Sequence, residues 1–182
     1  MSDFYAEMMR SFSPQIVPPE PLREFFRWQS QLGLAERSKF DNDWYAKLDP
    51  DQIGFSMCTS PVDPRYSQTW TDSDYPAVFN RIAAFCRTGG DGSQAALWLD
   101  DQGTIRIVHL GSGSGSTMFG VLTNNPVDFL RLLAIGYDEL CWPEQHDQTP
   151  EEVFDGYAKE DDEFTRPSSP ISLRRWVAST FG

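Results

Sequence analysis

Apolar residues recur every three or four positions in five stretches of the chain, a spacing that places them on one face of a helix. Residues that favour helix ends lie at the boundaries: Gly33 follows the second stretch, and Asn125 and Pro126 open the fourth. The pattern predicts helices over residues 2–12, 18–33, 77–86, 126–141 and 170–181.

β-Branched and aromatic residues cluster between turn-forming residues in the middle of the chain, which is typical of strands. The pattern predicts strands over residues 94–100, 104–110 and 118–123. Because only short turns separate them, we expect a three-stranded antiparallel meander. The predicted fold class is therefore α+β, with a small, mostly antiparallel sheet flanked by helices, in a single domain over residues 1–182.

No period persists from Leu34 to Pro76, and further prolines interrupt this stretch. Any helix or strand there is expected to be short. A long connection without structure is uncommon inside a domain, and this one is rich in aromatic residues. We expect a packed loop region instead of a linker. Its aromatic residues are Phe40, Trp44, Tyr45, Phe55, Tyr66, Trp70 and Tyr75.

Composition and charge exclude several classes of protein. The chain has 182 residues, of which 40% are apolar, enough for one hydrophobic core. Its net charge of -12 has the wrong sign for holding a phosphate backbone, so we expect no direct nucleic-acid ligand. No apolar run is long enough to span a bilayer and no leader pattern opens the sequence, so we expect a cytoplasmic protein without membrane contact.

The glycine-rich run at residues 111–117 is the most conspicuous candidate for a phosphate-binding loop. It lacks the glycine spacing of a dinucleotide fingerprint, the lysine of a P-loop and the serine position of a lipase elbow. We interpret it as a mobile hairpin turn. Asp91, Asp100 and Asp101 lie beside turn residues, where aspartate stabilises the backbone, so we interpret them as structural.

Histidines and cysteines offer little chemistry. His109 shares a strand face with Ile107 and is predicted to be a satisfied, partly buried side chain. His146, with Glu144 and Asp147, makes at most a weak metal site on an acidic segment. The three cysteines form no paired pattern and are expected to be reduced, half-buried packing residues; they are Cys58, Cys86 and Cys141. We therefore predict no catalytic residue, no metal and no cofactor.

Residues 144–163 hold nine acidic residues against one lysine, two thirds of the whole charge imbalance. Such a run is usually a solvated face. The alternative is a surface of carboxylates around aromatic anchors that binds a basic protein partner. The residues predicted to bind the partner are Trp142, Glu144, Asp147, Glu151, Glu152, Phe154, Asp155 and Tyr157.

The order of five features in this chain resembles the SUKH superfamily. They are the proline-led helix of residues 18–33, the run from Phe85 to Ser93, the hairpin, the Gly111 to Ser116 turn and the run from Asn125 to Leu130. The resemblance extends over about residues 18–142 and is strongest from Phe85 onward. Residues 143–182, an acidic segment and a capping helix, lie outside the common pattern.

The SUKH superfamily contains bacterial immunity proteins and a fungal regulator of cell-wall assembly. The resemblance implies an α+β domain that acts by protein binding and has no known catalytic residues. The first hypothesis is an immunity protein that neutralises a toxin. Its expected partner is a basic domain of that toxin. The alternatives are a small hydrolase or nucleotide-binding enzyme that uses Asp91, Asp101 or His109, and a housekeeping scaffold.

Overall fold

Seven strands form one sheet in the computed structural model, which describes residues 3–50, 57–63, 65–112, 119–135 and 173–182. The strands are β1 (Ala35–Arg37), β2 (Trp44–Lys47), β3 (Met57–Thr59), β4 (Ile82–Thr88), β5 (Gln94–Leu99), β6 (Ile105–Leu110) and β7 (Phe119–Thr123). The helices are α1 (Phe4–Ser11), α2 (Glu20–Leu32), α3 (Arg65–Thr71), α4 (Pro76–Phe79), α5 (Pro126–Ile135) and α6 (Leu173–Phe181).

The order of strands in the sheet is the order in the chain, and every neighbouring pair is antiparallel. The predicted meander is confirmed, because β5 pairs with β6 and β6 pairs with β7. The α+β class and the antiparallel sheet are confirmed with it. The sheet is larger than predicted, since four further strands precede the meander.

The predicted helix over residues 77–86 is wrong. Only the four residues of α4 are helical, and Ile82 begins strand β4 instead. Four consecutive residues of β4, from Ala83 to Cys86, are buried because this central strand is covered on both faces. A strand buried on both faces shows no alternation of apolar and polar residues. Its apolar run therefore resembles a helix face.

Residues 34–76 contain β1, β2, β3 and α3, and the ten residues of its three strands extend the sheet. The prediction that its helices and strands are short is confirmed, since the strands have three or four residues each. The loop-region prediction holds only in part, because three of its segments are strands of the sheet and one is helix α3. Strands this short leave no measurable period in the sequence.

Helices α1, α2, α5 and α6 cover one face of the sheet, which we call the first face. Phe85 of β4 lies at its centre, with its ring 6.0 Å from Phe26 of α2 and 5.6 Å from Phe129 of α5. The predicted helix start at residue 126 is confirmed, because Asn125 Oδ1 accepts a hydrogen bond of 3.0 Å from the backbone N–H of Val127. Residues 136–141 of that predicted helix lie outside the described residues.

The last predicted helix is confirmed from Leu173 onward, and its predicted start at residues 170–172 lies outside the described residues. Trp176 of α6 stacks on Trp28 of α2, with ring centroids 5.0 Å apart. Gly33 ends α2 with φ of 68°, as predicted for a glycine there. No helix in the described part of the chain combines the length and apolar character needed to cross a bilayer.

Candidate functional site

Within the described part of the chain, the opposite face of the sheet, which we call the second face, is only partly covered. Helix α3 packs Tyr66 and Trp70 against a small apolar cluster on strands β4, β5 and β6. The cluster consists of Ala84, Ala96, Val108 and Leu110. Beside that cluster lies a cleft of about 270 Å³. Its lining residues are Asp43, Tyr45, Cys58, Ser60, Pro61, Val62, Asp63, Arg87, Gly92 and Gln94.

Strand register builds the floor of this cleft. Cys58 of β3 lies opposite Arg87 of β4, which lies opposite Gln94 of β5, so the three side chains share one face. Arg87 donates from Nε to the carbonyl of Gly89 at 3.2 Å and from Nη2 to that of Gly90 at 3.3 Å. Its guanidinium group therefore holds the β4–β5 turn.

The Cys58 thiol in this floor is inert near neutral pH. Burial raises the pKa of Cys58 to about 11, an effect that the nearby positive charge of Arg87 only partly opposes. Burial also raises the pKa of Cys86 well above its usual range. Both cysteines are unpaired packing residues as predicted, but they are completely buried and not half-buried. Cys141 lies outside the described residues.

The β1–β2 turn projects from the edge of the cleft, and Phe40 at its tip is fully exposed, with a relative accessibility of 102%. The turn is held by short hydrogen bonds. The backbone N–H of Ser38 donates to the carbonyl of Asp43 at 2.9 Å, and Arg37 Nη1 donates to the carbonyl of Asn42 at 2.7 Å. Asn42 adopts the left-handed conformation, φ 62°, which asparagine tolerates better than most residues.

The turn that carries Phe40 also holds the carboxylates of Asp41 and Asp43 and the exposed side chain of Lys39. Asp41 accepts hydrogen bonds from the backbone N–H of Asp43 at 3.1 Å and from the Tyr45 hydroxyl at 2.8 Å. The bonds from the Asp43 backbone, Ser38 and Tyr45 lower the pKa of Asp41, so this side chain is charged at neutral pH. Burial, together with the charges of Asp41 and Asp43, raises the pKa of Tyr45 to about 12.

The three aspartates of the hairpin have the structural surroundings predicted for them. Asp91 accepts bonds from the backbone N–H and the hydroxyl of Ser93 at 2.8 and 2.7 Å. Asp100 accepts from the backbone N–H of Thr104 at 2.8 Å and from Arg106 Nε at 2.7 Å. The bonds from the Thr104 backbone and Arg106 lower the pKa of Asp100.

The residues of the enzyme alternative do not meet at one place. Asp101 pairs with Arg81 at one end of β5, and Asp91 lies at the other end of that six-residue strand, about 20 Å away at about 3.3 Å per residue. His109 is 2% exposed, more buried than predicted, on the strand face it shares with Ile107. Among the described residues, no three acidic, histidine or cysteine side chains are grouped to hold a metal ion.

The predicted partner-binding residues lie outside the described residues. They are Trp142, Glu144, Asp147, Glu151, Glu152, Phe154, Asp155 and Tyr157, and His146 lies there with them. Of the glycine-rich turn, only Gly111 and Ser112 are described.

Sequence reasoning missed the β1–β2 turn as a site. The sequence pattern placed Phe40 among seven aromatic residues before Pro76 and did not indicate which of them would be exposed. The available signal was its position among the turn-forming and polar residues from Ser38 to Asp43. An aromatic residue inside a polar turn has no buried strand or helix face to join.

Together, the fold and this surface define an α+β domain whose second sheet face has a polar cleft beside an exposed aromatic turn. No family model matches this chain, and neither a curated protein nor a solved structure shows significant similarity to it. The SUKH resemblance therefore stays a prediction.

Proposed function

We propose that this chain is a non-catalytic protein-binding domain that acts in the cytoplasm as an immunity protein against a bacterial toxin. The observation that carries the proposal is Phe40, a fully exposed aromatic ring on a hydrogen-bonded turn. Exposed aromatic rings are common energetic centres of protein interfaces. A turn already fixed in one conformation loses little entropy when a partner binds.

The toxin-immunity role comes from the SUKH resemblance and from the charge of the chain. Toxins that attack nucleic acid need basic surfaces to hold phosphate. A chain with a net charge of -12 complements such a surface and attracts it at long range. The acidic segment and the aromatic residues beside it supply a second contact region in this proposal.

Co-expression tests the role directly. Candidate toxins are the proteins encoded by neighbouring genes, each expressed in a sensitive host with and without this chain. We expect one toxin to lose its lethality and to copurify with the chain. A scaffold would copurify with a partner that is not toxic. Survival that does not change for any neighbouring candidate would contradict the immunity role.

A charge-removal variant tests the acidic segment. Replacing Glu151, Glu152 and Asp155 with Gln, Gln and Asn should slow association with a basic toxin at low ionic strength. The slowing should fade at high salt, where the Debye length falls to about 3 Å in 1 M salt. Stopped-flow association rates measure the effect. Unchanged rates at low salt would leave this segment as a solvated face.

The matched control removes three charges elsewhere, at Glu20, Glu24 and Asp128. Each forms an exposed ion pair with an arginine of its own helix. Exposed pairs contribute little to stability, so the control should fold normally. A slowing as large as that of the first variant would show that only total charge matters.

A further inference from the structure

We infer that the cleft on the second face binds the side-chain carboxamide of an asparagine or glutamine of the toxin, held by Arg87 and Gln94. This inference rests on the proposed function and names the chemical group by which the partner is recognised. It concerns hydrogen-bonding groups in the floor of the cleft and requires no charge on the partner.

A β-bulge in β4 directs Arg87 into the cleft. The pairing of β4 with β5 shifts by one residue between Ala84 and Cys86, which leaves Phe85 as the extra residue. Strict alternation from Ala84 would otherwise place Arg87 on the first face, under the helices. The bulge instead places Arg87 on the second face, opposite Gln94. Bulges are common beside functional sites, where they redirect a side chain.

Arg87 and Gln94 carry hydrogen-bonding groups that the described residues leave unused. Arg87 donates to two carbonyls through Nε and Nη2, and no described residue accepts a bond from its Nη1. Gln94 Oε1 is buried without a donor, and no other described residue bonds the Gln94 carboxamide. An unsatisfied buried acceptor is unfavourable in the free protein, so a donor from a bound partner would be stabilising there. The terminal torsion of a glutamine is soft, which lets its amide turn toward a bound group.

A primary carboxamide is complementary to these two side chains. Its oxygen can accept a bond from Arg87 Nη1, while an N–H beside that oxygen donates to Gln94 Oε1. A carboxylate has no donor for Gln94, and an ammonium or guanidinium group has no acceptor for Arg87. A backbone amide fits less well, because a trans peptide directs its N–H and C=O to opposite sides. A hydroxyl group must serve both residues from one atom.

Charge and size also favour a neutral side chain in the cleft. Asp63 at the rim pairs with Arg65 at 2.6 Å, and the charge of Arg87 balances that of Asp43, so this group of four residues has no net charge. The volume of about 270 Å³ is below the range of most small-molecule sites, roughly 300–1,000 Å³. A single side chain of a bound protein suits this size. The wall includes a proline and a valine, which can contact its methylene groups.

A random peptide library displayed on phage, selected on the full-length chain, provides the probe. We expect the enriched peptides to share one asparagine or glutamine. Fluorescence anisotropy then compares the most enriched peptide with three versions in which that residue is replaced by the corresponding acid, by serine or by leucine. Each replacement should weaken binding about tenfold or more, because it removes one or both hydrogen bonds from a partly buried site. No enrichment, no shared amide residue or equal binding of any replacement peptide would overturn the inference.

Gln94→Met tests the cleft, and Gln31→Met is the matched control. Methionine resembles glutamine in length but lacks its strong donor and acceptor. Gln31 is exposed near the end of α2, on the opposite side of the sheet from the cleft. We expect Gln94→Met to weaken binding of the selected peptide about tenfold and Gln31→Met to leave it unchanged. Equal affinities of Gln94→Met and the wild type would overturn the inference.

Stability distinguishes a binding role of Gln94 from a structural one. Gln94→Met removes a buried acceptor that has no donor among the described residues, so its urea midpoint should equal or exceed that of the wild type. A glutamine that supports the fold would give a lower midpoint in this variant. That result would overturn the inference.

The toxin assay separates this inference from the proposed function. If the chain neutralises a toxin and Gln94→Met neutralises it equally well, the inference is wrong while the proposed function stands. If the peptides bind as expected and no toxin is neutralised, the cleft is assigned correctly and the immunity role is wrong.

Discussion

The two faces of the sheet are covered in different ways. The first face carries four helices and most of the large buried side chains, including Phe25, Phe26, Phe85 and Phe129. Among the described residues, the second face carries mainly the short helix α3 and a cluster of four buried residues, beside which lies the cleft. Burial of apolar surface is the main stabilising term in folding. We therefore expect stability to depend on the first face and binding on the second.

The largest effect should come from Phe85→Ala. Removing this completely buried ring leaves a cavity between Phe26 and Phe129, and such changes cost about 3–5 kcal/mol. Phe40→Ala removes the same ring from the surface and should change stability by less than about 0.5 kcal/mol. Urea denaturation measures both free energies of unfolding. A similar cost for the two would contradict the division between the faces.

An effect of intermediate size on stability is expected from removing one buried hydrogen bond on each face of the sheet. Gln29 of α2 is completely buried on the first face; it donates to the carbonyl of Lys47 at 2.8 Å and accepts from Thr59 Oγ1 at 2.7 Å. Thr59→Val leaves Gln29 Oε1 without that donor and should cost about 1–3 kcal/mol. The same denaturation assay measures it. Ser67→Ala, which removes a bond of 2.8 Å to the Ile82 carbonyl beside α3, should cost less. A larger cost for Ser67→Ala would reverse the comparison.

Acid should remove a smaller contribution, that of Asp100. Its pKa is lower in the folded chain because it accepts bonds from Thr104 and Arg106. A lowered folded pKa gives stability that is present above the unfolded pKa, about 3.9, and is lost as the pH falls through the folded pKa. Asp100→Asn should thus be less stable than the wild type at pH 7, and the difference should shrink below about pH 4. Denaturation curves across this range measure it. A constant difference would exclude this linkage.

The smallest expected effect is on the alkylation rate of a cysteine, and this experiment leaves the fold intact. With a pKa of about 11, Cys58 is a thiolate in about one molecule in a thousand at pH 8, and it is buried as well. We expect alkylation of Cys58 by iodoacetamide to be far slower than that of a cysteine placed at position 40 in a Phe40→Cys variant. Peptide mass spectrometry follows both sites. Similar rates would mean that the cleft opens readily to reagents.

Local signals explain the parts of the fold that could be predicted. The start of α5 depends on Asn125 and Pro126, and the β5–β6 turn on Asp101 to Gly103, all within a few residues of sequence. β4 was mistaken for a helix because burial on both faces removes its alternation. The short strands before it take their structure from neighbours in the sheet, which no local pattern encodes.

The candidate site was less predictable because its parts come together only through register. Cys58, Arg87 and Gln94 are separated in sequence and become neighbours when β3, β4 and β5 pair. A shift of one residue would turn each side chain to the other face. The exposure of Phe40 likewise depends on how the β1–β2 turn projects from the sheet.

The matching order of strands in sheet and chain has a consequence for the route by which the protein folds. Each strand pairs with its sequence neighbour, so the loops that must close are mostly short and their closure costs little entropy. Topologies with such local contacts fold faster than those with distant pairings. The β4–β7 hairpins are expected to form early, whereas α6, from the end of the chain, must dock on α2 and α5 afterwards. A ribosome-bound chain that still lacks α6 would thus already contain paired strands. Trp28 would not yet stack on Trp176 at that stage.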